Sequence, residues 1–266
     1  MPYRLLLITC FMLMTSSAIA QHMPTLRQEK YAKSIPIDEQ CIEWVNDIYR
    51  VVSLENDSNA VLYGNGRVGL FDILFDMVRT NSVRAYQFQL EGNEFFDSTT
   101  VVKVTEILKD YHIPYAVENG VVTVKKEDMP SSEVMEYYVK ETVYYDINNS
   151  RYFRRVRAIC PVIVAEDDFA EEKVRYPLFW LEYKDVQSAL ALINMTHDNI
   201  NLGVRMTYDD FFTLNMYKGE IYKTYNVFGK TLQQLYPDEE QLSAIRRGIE
   251  EKLAKMIGRT YNIYLK

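Results

Sequence analysis

The stretch from 133 to 164 most constrains the fold. "EVMEYYVKETVYYD" (133–146) and "SRYFRRVRAICPVIV" (150–164) are long runs rich in Val, Ile, Tyr and Phe. Such side chains suit a pleated, half-buried surface, so both runs read as strands. Only Ile147-Asn148-Asn149 separates them. Parallel neighbours need a crossover of a dozen or more residues, so these two strands must pair antiparallel, as a meander. The expected class is therefore α+β, with mixed or antiparallel sheets and helices packed on them.

Upstream, Asp38 is placed to cap a helix in which Ile42, Val45, Ile48, Tyr49 and Val52 recur at helical spacing. Ala60 to Tyr63 reads as a short strand and Leu70 to Arg79 as a helix. "SVRAYQFQL" (82–90) alternates like a strand, Ser98 or Thr99 opens a helix to about Tyr111, and Asn119-Gly120 turns a hairpin over 115–124. Downstream, "YPLFWLEY" (176–183) is a third strand, and Asp185 starts a helix to about Met195. Thr207-x-x-Asp210 is a capping-box variant. Residues 219–226 are short and extended, and Pro237-Asp238 opens a last helix. Its apolar stripe, Leu242, Ile245, Ile249, Leu253 and Met256 or Ile257, is expected to end at Gly258. A short strand, a helix and an aromatic segment recur in the same order in both parts of the chain. This gives an expectation of two similar α+β halves, 38–128 and 129–266.

The first twenty residues read as a secretory leader. Arg4 supplies the positive end, Leu5 to Met14 the apolar stretch, and Ala18-Ile19-Ala20 a small-residue site for cleavage after Ala20. Residues 21–37 are polar, hold two prolines and lack periodicity, so an extended arm is expected. Export permits a disulfide between the two remaining cysteines, Cys41 and Cys160, although two buried thiols fit equally well.

The net charge of −7 argues against nucleic-acid binding, which needs a basic face. "RYFRRVR" (151–157) is the one basic cluster, and its alternation fits a solvated sheet face. Gly64-x-Gly66-x-x-Gly69 has dinucleotide-binding spacing, with Glu91 at the right remove for a ribose. The antiparallel meander denies it the β-α-β setting that such a loop requires, so it is read as a tight turn and no cofactor is expected. His22, His112 and His197 are scattered, so no metal site is expected. Cys160 sits among apolar neighbours, where a thiol is inert. No catalytic residue is assigned. The carboxylate pairs Asp167/Asp168 and Asp209/Asp210 are the candidates for a competing reading, an exported hydrolase. A second competitor is a small periplasmic ligand-binding module.

The densest polar-aromatic segment is "YKGEIYKTYN" (217–226). Tyr217, Lys218, Glu220, Tyr222, Lys223 and Tyr225 are candidate partner-interface residues, since tyrosine offers a rigid ring with a polar tip. A sheet edge guarded by lysines is the plainer reading.

The motifs "YYVKETVYYDINNS", "RAICPVI", "YPLFWLEY", "TYDDFF" and "YKGEIYKTYN", in this order and spacing, resemble the gliding-motility protein N family, GldN or PorN. The resemblance extends over about 40–257. It implies a non-enzymatic periplasmic component of the type IX secretion and gliding machinery, peripherally attached to the outer membrane. It further implies a ring formed by self-assembly with an outer-membrane lipoprotein of the K component type, and contact with the periplasmic part of inner-membrane motor proteins. It brings no cofactor and no catalytic residue.

Overall fold

The computed structural model describes residues 42–64, 68–89, 91–118, 121–148, 150–165, 173–195 and 206–262. The leader and the arm, 1–37, lie outside the described residues. So do Cys41, Gly66, Asn119, Gly120, Asp167, Asp168, His22 and His197.

One antiparallel sheet organises the described chain. Strands β1 (Ile42–Ser53), β6 (Val134–Asp146), β7 (Arg151–Ala165), β8 (Val174–Pro177) and β10 (Glu220–Thr224) run in the order β10-β1-β6-β7-β8, and β9 (Leu181–Glu182) also pairs with β7. The long hairpin β6–β7 is the pair read from the sequence, and its register runs from Val134 opposite Ile163 to Asp146 opposite Arg151. The third strand is interrupted: β8 and β9 both lie on β7, with Leu178 to Trp180 crossing between them.

Residues 42–53 form a strand, not the expected helix. β1 is central, paired with β10 on one edge and β6 on the other. Ile48, Tyr49, Arg50 and Val52 are all buried, because both faces of this strand are covered. A strand buried on both faces loses the alternation that marks a half-exposed one. Ala60–Tyr63 is likewise a 3-10 turn and not a strand. The strand expected over 82–90 contracts to β2 (Ala85–Tyr86), paired with β3 (Val101–Val102). Helix α1 (Leu70–Arg79) has its expected bounds, whereas α2 (Val104–Asp110) starts later than expected. β4 (Ala116–Glu118) and β5 (Val121–Thr123) are the hairpin arms.

Helix α1 packs Leu70, Leu74 and Phe75 into the main core with Val52, Tyr137, Val139 and Ile159 of the sheet. Helices α3 (Tyr183–Leu190) and α4 (Tyr208–Thr213) add Val186, Leu190, Phe211 and Phe212. Short helix α5 (Leu232–Leu235) leads into α6 (Glu239–Asn262), which continues through Gly258 instead of ending there. The stripe read from the sequence seats α6 on the sheet. Leu242 and Leu253 are buried, and Ile245 and Ile249 pack with Ile48, Val143 and Ile221. Each fully buried leucine contributes about 1.5–3 kcal/mol over an exposed one.

The opposite face of the sheet carries an aromatic cluster. Tyr49, Tyr138, Trp180 and Tyr86 are buried there, with Phe88, Phe96 and Tyr222 against them. Backbone bonds between Tyr86 and Trp180 in both directions hold the 85–97 segment on this face. Strand β1, from before residue 128, lies between β10 and β6, from after it, so the two stretches share a sheet.

Candidate interaction surface around the edge strand

β10 is the edge strand that bears the candidate segment, and a bulge shapes it. The register slips between Tyr49 and Arg50, so Tyr222 has no partner on β1. Tyr222 and Lys223 consequently both meet Tyr49: the Tyr222 ring centroid lies 6.0 Å from that of Tyr49, and Lys223 Nζ sits 4.9 Å over it. Bulges change which face a side chain reaches, and alternation alone would have set these two apart.

The segment divides sharply by exposure. Tyr217 and Lys223 are buried and belong to the interior. Tyr222 packs on Tyr138, 4.6 Å between centroids, and its buried hydroxyl has no hydrogen-bond partner. Lys218, Glu220 and Tyr225 remain exposed. Three of the six candidate residues are thus exposed.

Behind β10 lie two buried ionic centres. In the first, Arg50 Nε donates to both oxygens of Glu141, at 3.0 and 3.1 Å, and its Nη1 donates to the Gly219 carbonyl at 3.0 Å. The same guanidinium forks onto Glu250 of α6. Glu141 also receives Arg154 at 2.9 Å and the Tyr217 hydroxyl at 2.5 Å. Burial alone would lower the Arg50 pKa, but the Glu250 and Glu141 carboxylates more than offset it and hold the guanidinium charged. In the second, Lys223 Nζ donates to the Gly92 carbonyl at 2.7 Å and lies 3.3 Å from the Glu94 carboxylate. Burial lowers the Lys223 pKa, and Glu94 counters part of that shift. The first centre ties β1 and β6 to α6 and to Gly219 just before β10, and the second ties β10 to the 92–94 turn. Sequence reading missed them because the main partners are distant in the chain: Arg50 stands 91 residues from Glu141 and 200 from Glu250, and Lys223 stands 129 from Glu94.

The chain following β10 forms a braced loop. Asn226 Nδ2 donates to the carbonyls of Thr224 and Lys230, at 2.9 and 2.8 Å, and its Oδ1 accepts the Lys230 N–H at 3.0 Å. Gly229 is left-handed at φ +64°, and a Cβ there would lie 2.2 Å from Gly92 Cα, so only glycine permits this contact. Asn93 Nδ2 adds a bond to the Asn226 carbonyl at 3.0 Å. The two joined turns display Val227 at 87% exposure, Phe228 at 75%, Phe95 at 62% and Tyr225 at 58%. Large apolar side chains grouped this way mark interaction sites.

A groove of about 650 Å³ runs along the other end of β10, lined by Val51, Glu136, Tyr138, Arg175, Glu220 and Tyr222 among others. Four of its charged residues pair with one another. Arg175 forks onto Glu136 at 2.6 and 3.1 Å, and Arg246 lies 3.3 Å from Glu220 while donating to the Ile221 carbonyl at 3.1 Å. The edge of β10 is thus guarded, by an arginine of α6 as well as by its own charged residues.

The remaining candidates take structural positions. The Thr207 hydroxyl accepts the Asp210 N–H at 3.1 Å, and Asp210 accepts the Thr207 N–H at 2.9 Å, the reciprocal cap read from the sequence. Asp209 accepts the hydroxyls of Tyr183 at 2.6 Å and Thr213 at 3.0 Å, and burial pushes its carboxyl up. Both are buried and neither lines the groove. At the glycine turn, Gly64 is left-handed at φ +90°, and a Cβ on Gly69 would lie 2.8 Å from the Tyr63 carbonyl oxygen. The Gly69 N–H donates to Asp72 at 3.2 Å, so a carboxylate of the helix itself sits where a pyrophosphate would need to bind. Glu91 lies exposed in a bend. Among the described residues Cys160 has no disulfide partner; it is buried, and burial pushes its thiol pKa well up. His112 occupies a turn at φ +55°. Among the described residues no group of three or more His, Cys, Asp or Glu is placed to hold a metal ion, and no helix is long and apolar enough to cross a membrane.

The family model described as "Gliding motility associated protein GldN" matches residues 37–259. No curated protein matches the chain.

Proposed function

Because the chain belongs to the gliding-motility-associated GldN family, we propose that it is a non-enzymatic periplasmic subunit of the type IX secretion and gliding machinery. In this reading it is exported, cleaved after Ala20 and held peripherally at the outer membrane. There it self-assembles into a ring with a lipoprotein of the K component type and meets the periplasmic part of inner-membrane motor proteins.

The observation that carries this reading is the braced loop pair. Val227 and Phe228 are displayed on a turn that Asn226 and Gly229 hold in place. Ordering a loop in advance lowers the cost of association, and aromatic anchors dominate binding energy at interfaces. Both favour a protein that works by contact.

The test is isolation of the tagged protein from gently solubilised envelopes of a gliding bacterium that carries it, with the bound proteins identified. The proposal expects a lipoprotein in stoichiometric amount, an amino terminus at Gln21, and loss of gliding when the gene is deleted. Recovery without a lipoprotein, or with the leader retained in the cytoplasm, would overturn it.

A further inference from the structure

The groove beside β10 is a polar site built on the sheet. Its volume of about 650 Å³ falls within the roughly 300–1,000 Å³ of small-molecule sites. Three neighbouring strands form it, with Glu220 and Tyr222 from β10, Val51 from β1, and Glu136 and Tyr138 from β6. Arg175 reaches in from β8 and closes on Glu136, whose side chain is only 9% exposed. Helix α6 contributes Arg246, and Lys218 and Gln233 also line the groove. Both of these last residues are exposed, and among the described residues neither side chain makes a hydrogen bond or an ion pair.

The charges of the lining cancel. Glu55, Glu136 and Glu220 stand with Arg175, Lys218 and Arg246. Arg175–Glu136 and Arg246–Glu220 are closed pairs. Just outside, Lys173 pairs with Glu55, and exposed Asp57 offsets the added charge. A phosphate or a nucleotide therefore finds no surplus of positive charge here. An extended peptide is disfavoured for another reason. It would add to the sheet through the backbone of β10, but the Ile221 carbonyl is taken by Arg246 Nε at 3.1 Å and the Thr224 carbonyl by Asn226 Nδ2 at 2.9 Å. What the lining offers instead is dense hydrogen bonding with no net charge. The carboxylates accept, the guanidinium and ammonium groups donate, and Asn56 and Gln233 do both. Each carboxylate–guanidinium pair sets acceptors beside donors, which neighbouring hydroxyls on a sugar ring can match. Tyr222 is half-buried with its hydroxyl inside, so it meets the groove with its ring, an apolar surface for the C–H face of a sugar.

We infer that this groove binds a neutral oligosaccharide. The Arg175–Glu136 and Arg246–Glu220 pairs bond its hydroxyls, Lys218 and Gln233 add the contacts that the fold leaves open, and Tyr222 packs on a ring face. This goes beyond the contact role proposed above and stands whether or not the protein assembles into a ring. For an exported chain the effect is a hold on polysaccharide outside the cytoplasm.

The experiment is calorimetric titration of the purified protein with N-acetylglucosamine tetrasaccharide and with maltotetraose, and separately with tetra-alanine and with inorganic phosphate. At least one tetrasaccharide should bind saturably, with a dissociation constant below about 1 mM. Its affinity should hold when salt is raised tenfold, because the ligand carries no charge to screen. Lys218→Ala/Gln233→Ala changes two exposed side chains outside the ion pairs of the groove, so it should weaken binding at least tenfold with the unfolding midpoint unchanged. Arg175→Gln, which opens one pair, should weaken binding as much and serves as an independent lesion. Failure of both tetrasaccharides to bind, parent-like binding by Lys218→Ala/Gln233→Ala, or saturable binding of phosphate or tetra-alanine in their place would each overturn the inference.

Discussion

Arg50, buried at the centre of the sheet, grips Glu250 on the terminal helix while its Nε holds Glu141 beneath. One guanidinium thereby fastens α6 to the sheet. Arginine can do this because its planar fork offers donors on two sides and keeps its charge when buried.

The two carboxylates should respond unequally to mutation. Arg50→Met leaves Glu141 buried with its main partner gone, and a loss of about 3–5 kcal/mol is expected. Glu250 is 46% exposed, so Glu250→Gln should cost no more than about 1 kcal/mol. It should nonetheless raise amide exchange along α6. Urea unfolding and hydrogen exchange measure both. Equal costs for the two substitutions would contradict the layout.

Two tyrosines of the edge segment should behave oppositely. The Tyr217 hydroxyl donates to buried Glu141, so Tyr217→Phe is expected to cost about 1.5–3 kcal/mol. The Tyr222 hydroxyl is buried without a partner. Removing it abolishes a desolvation penalty, so Tyr222→Phe should be neutral or stabilising by about 1 kcal/mol. Chemical denaturation of the two variants side by side gives the answer.

Alkaline stability should be limited by tyrosine. Burial raises the phenols of Tyr49, Tyr137, Tyr138, Tyr183 and Tyr217 above their ordinary value, and pushes Tyr111 and Tyr208 up to about 12. A group whose folded pKa exceeds its unfolded value keeps its proton longer in the fold. Its stabilising contribution is complete below the unfolded value, about pH 10, and is lost as pH rises towards the folded one. These buried phenols should therefore ionise only as the fold is lost. Tyrosinate absorbance and circular dichroism, followed together, check this. Ionisation of all tyrosines with the fold intact would contradict it.

The acidic pair of α4 should act on stability, each member in its own way. Asp210→Ala removes half of the reciprocal cap and should cost about 1 kcal/mol. Burial raises the Asp209 carboxyl, so its contribution is complete below the unfolded value, about 3.9, and is lost as pH rises through the folded pKa. Asp209→Asn should hence lie within about 1 kcal/mol of the parent at pH 7, while the parent gains on it as pH falls towards 4. A variant that loses stability equally at every pH would contradict this.

The legible features were local in sequence. Thr207 and Asp210 stand three residues apart, and their reciprocal cap forms as read. The β6–β7 hairpin and α1 follow from composition and short connections. β1 misled because burial on both faces erases alternation, leaving Ile42, Val45, Ile48 and Val52 to mimic a helical repeat. Lys223 misled in another way, since a charged residue in a sequence reads as solvated until its distant partner, here Glu94, is known. Of the six residues named at 217–226, Tyr217 and Lys223 are buried and Tyr222 packs on Tyr138. The apolar tip itself, Val227 and Phe228, stands just past the segment's end. Asn226 and Gly229 around it were the available turn signal.

The most direct test of the central proposal is the native mass of the protein released gently from the envelope of cells that glide. The account predicts a megadalton-scale assembly that contains a lipoprotein and collapses when Val227 and Phe228 are both replaced by Asp. Release of the parent as a free monomer, at or below the 31.3 kDa of the full chain, would contradict it.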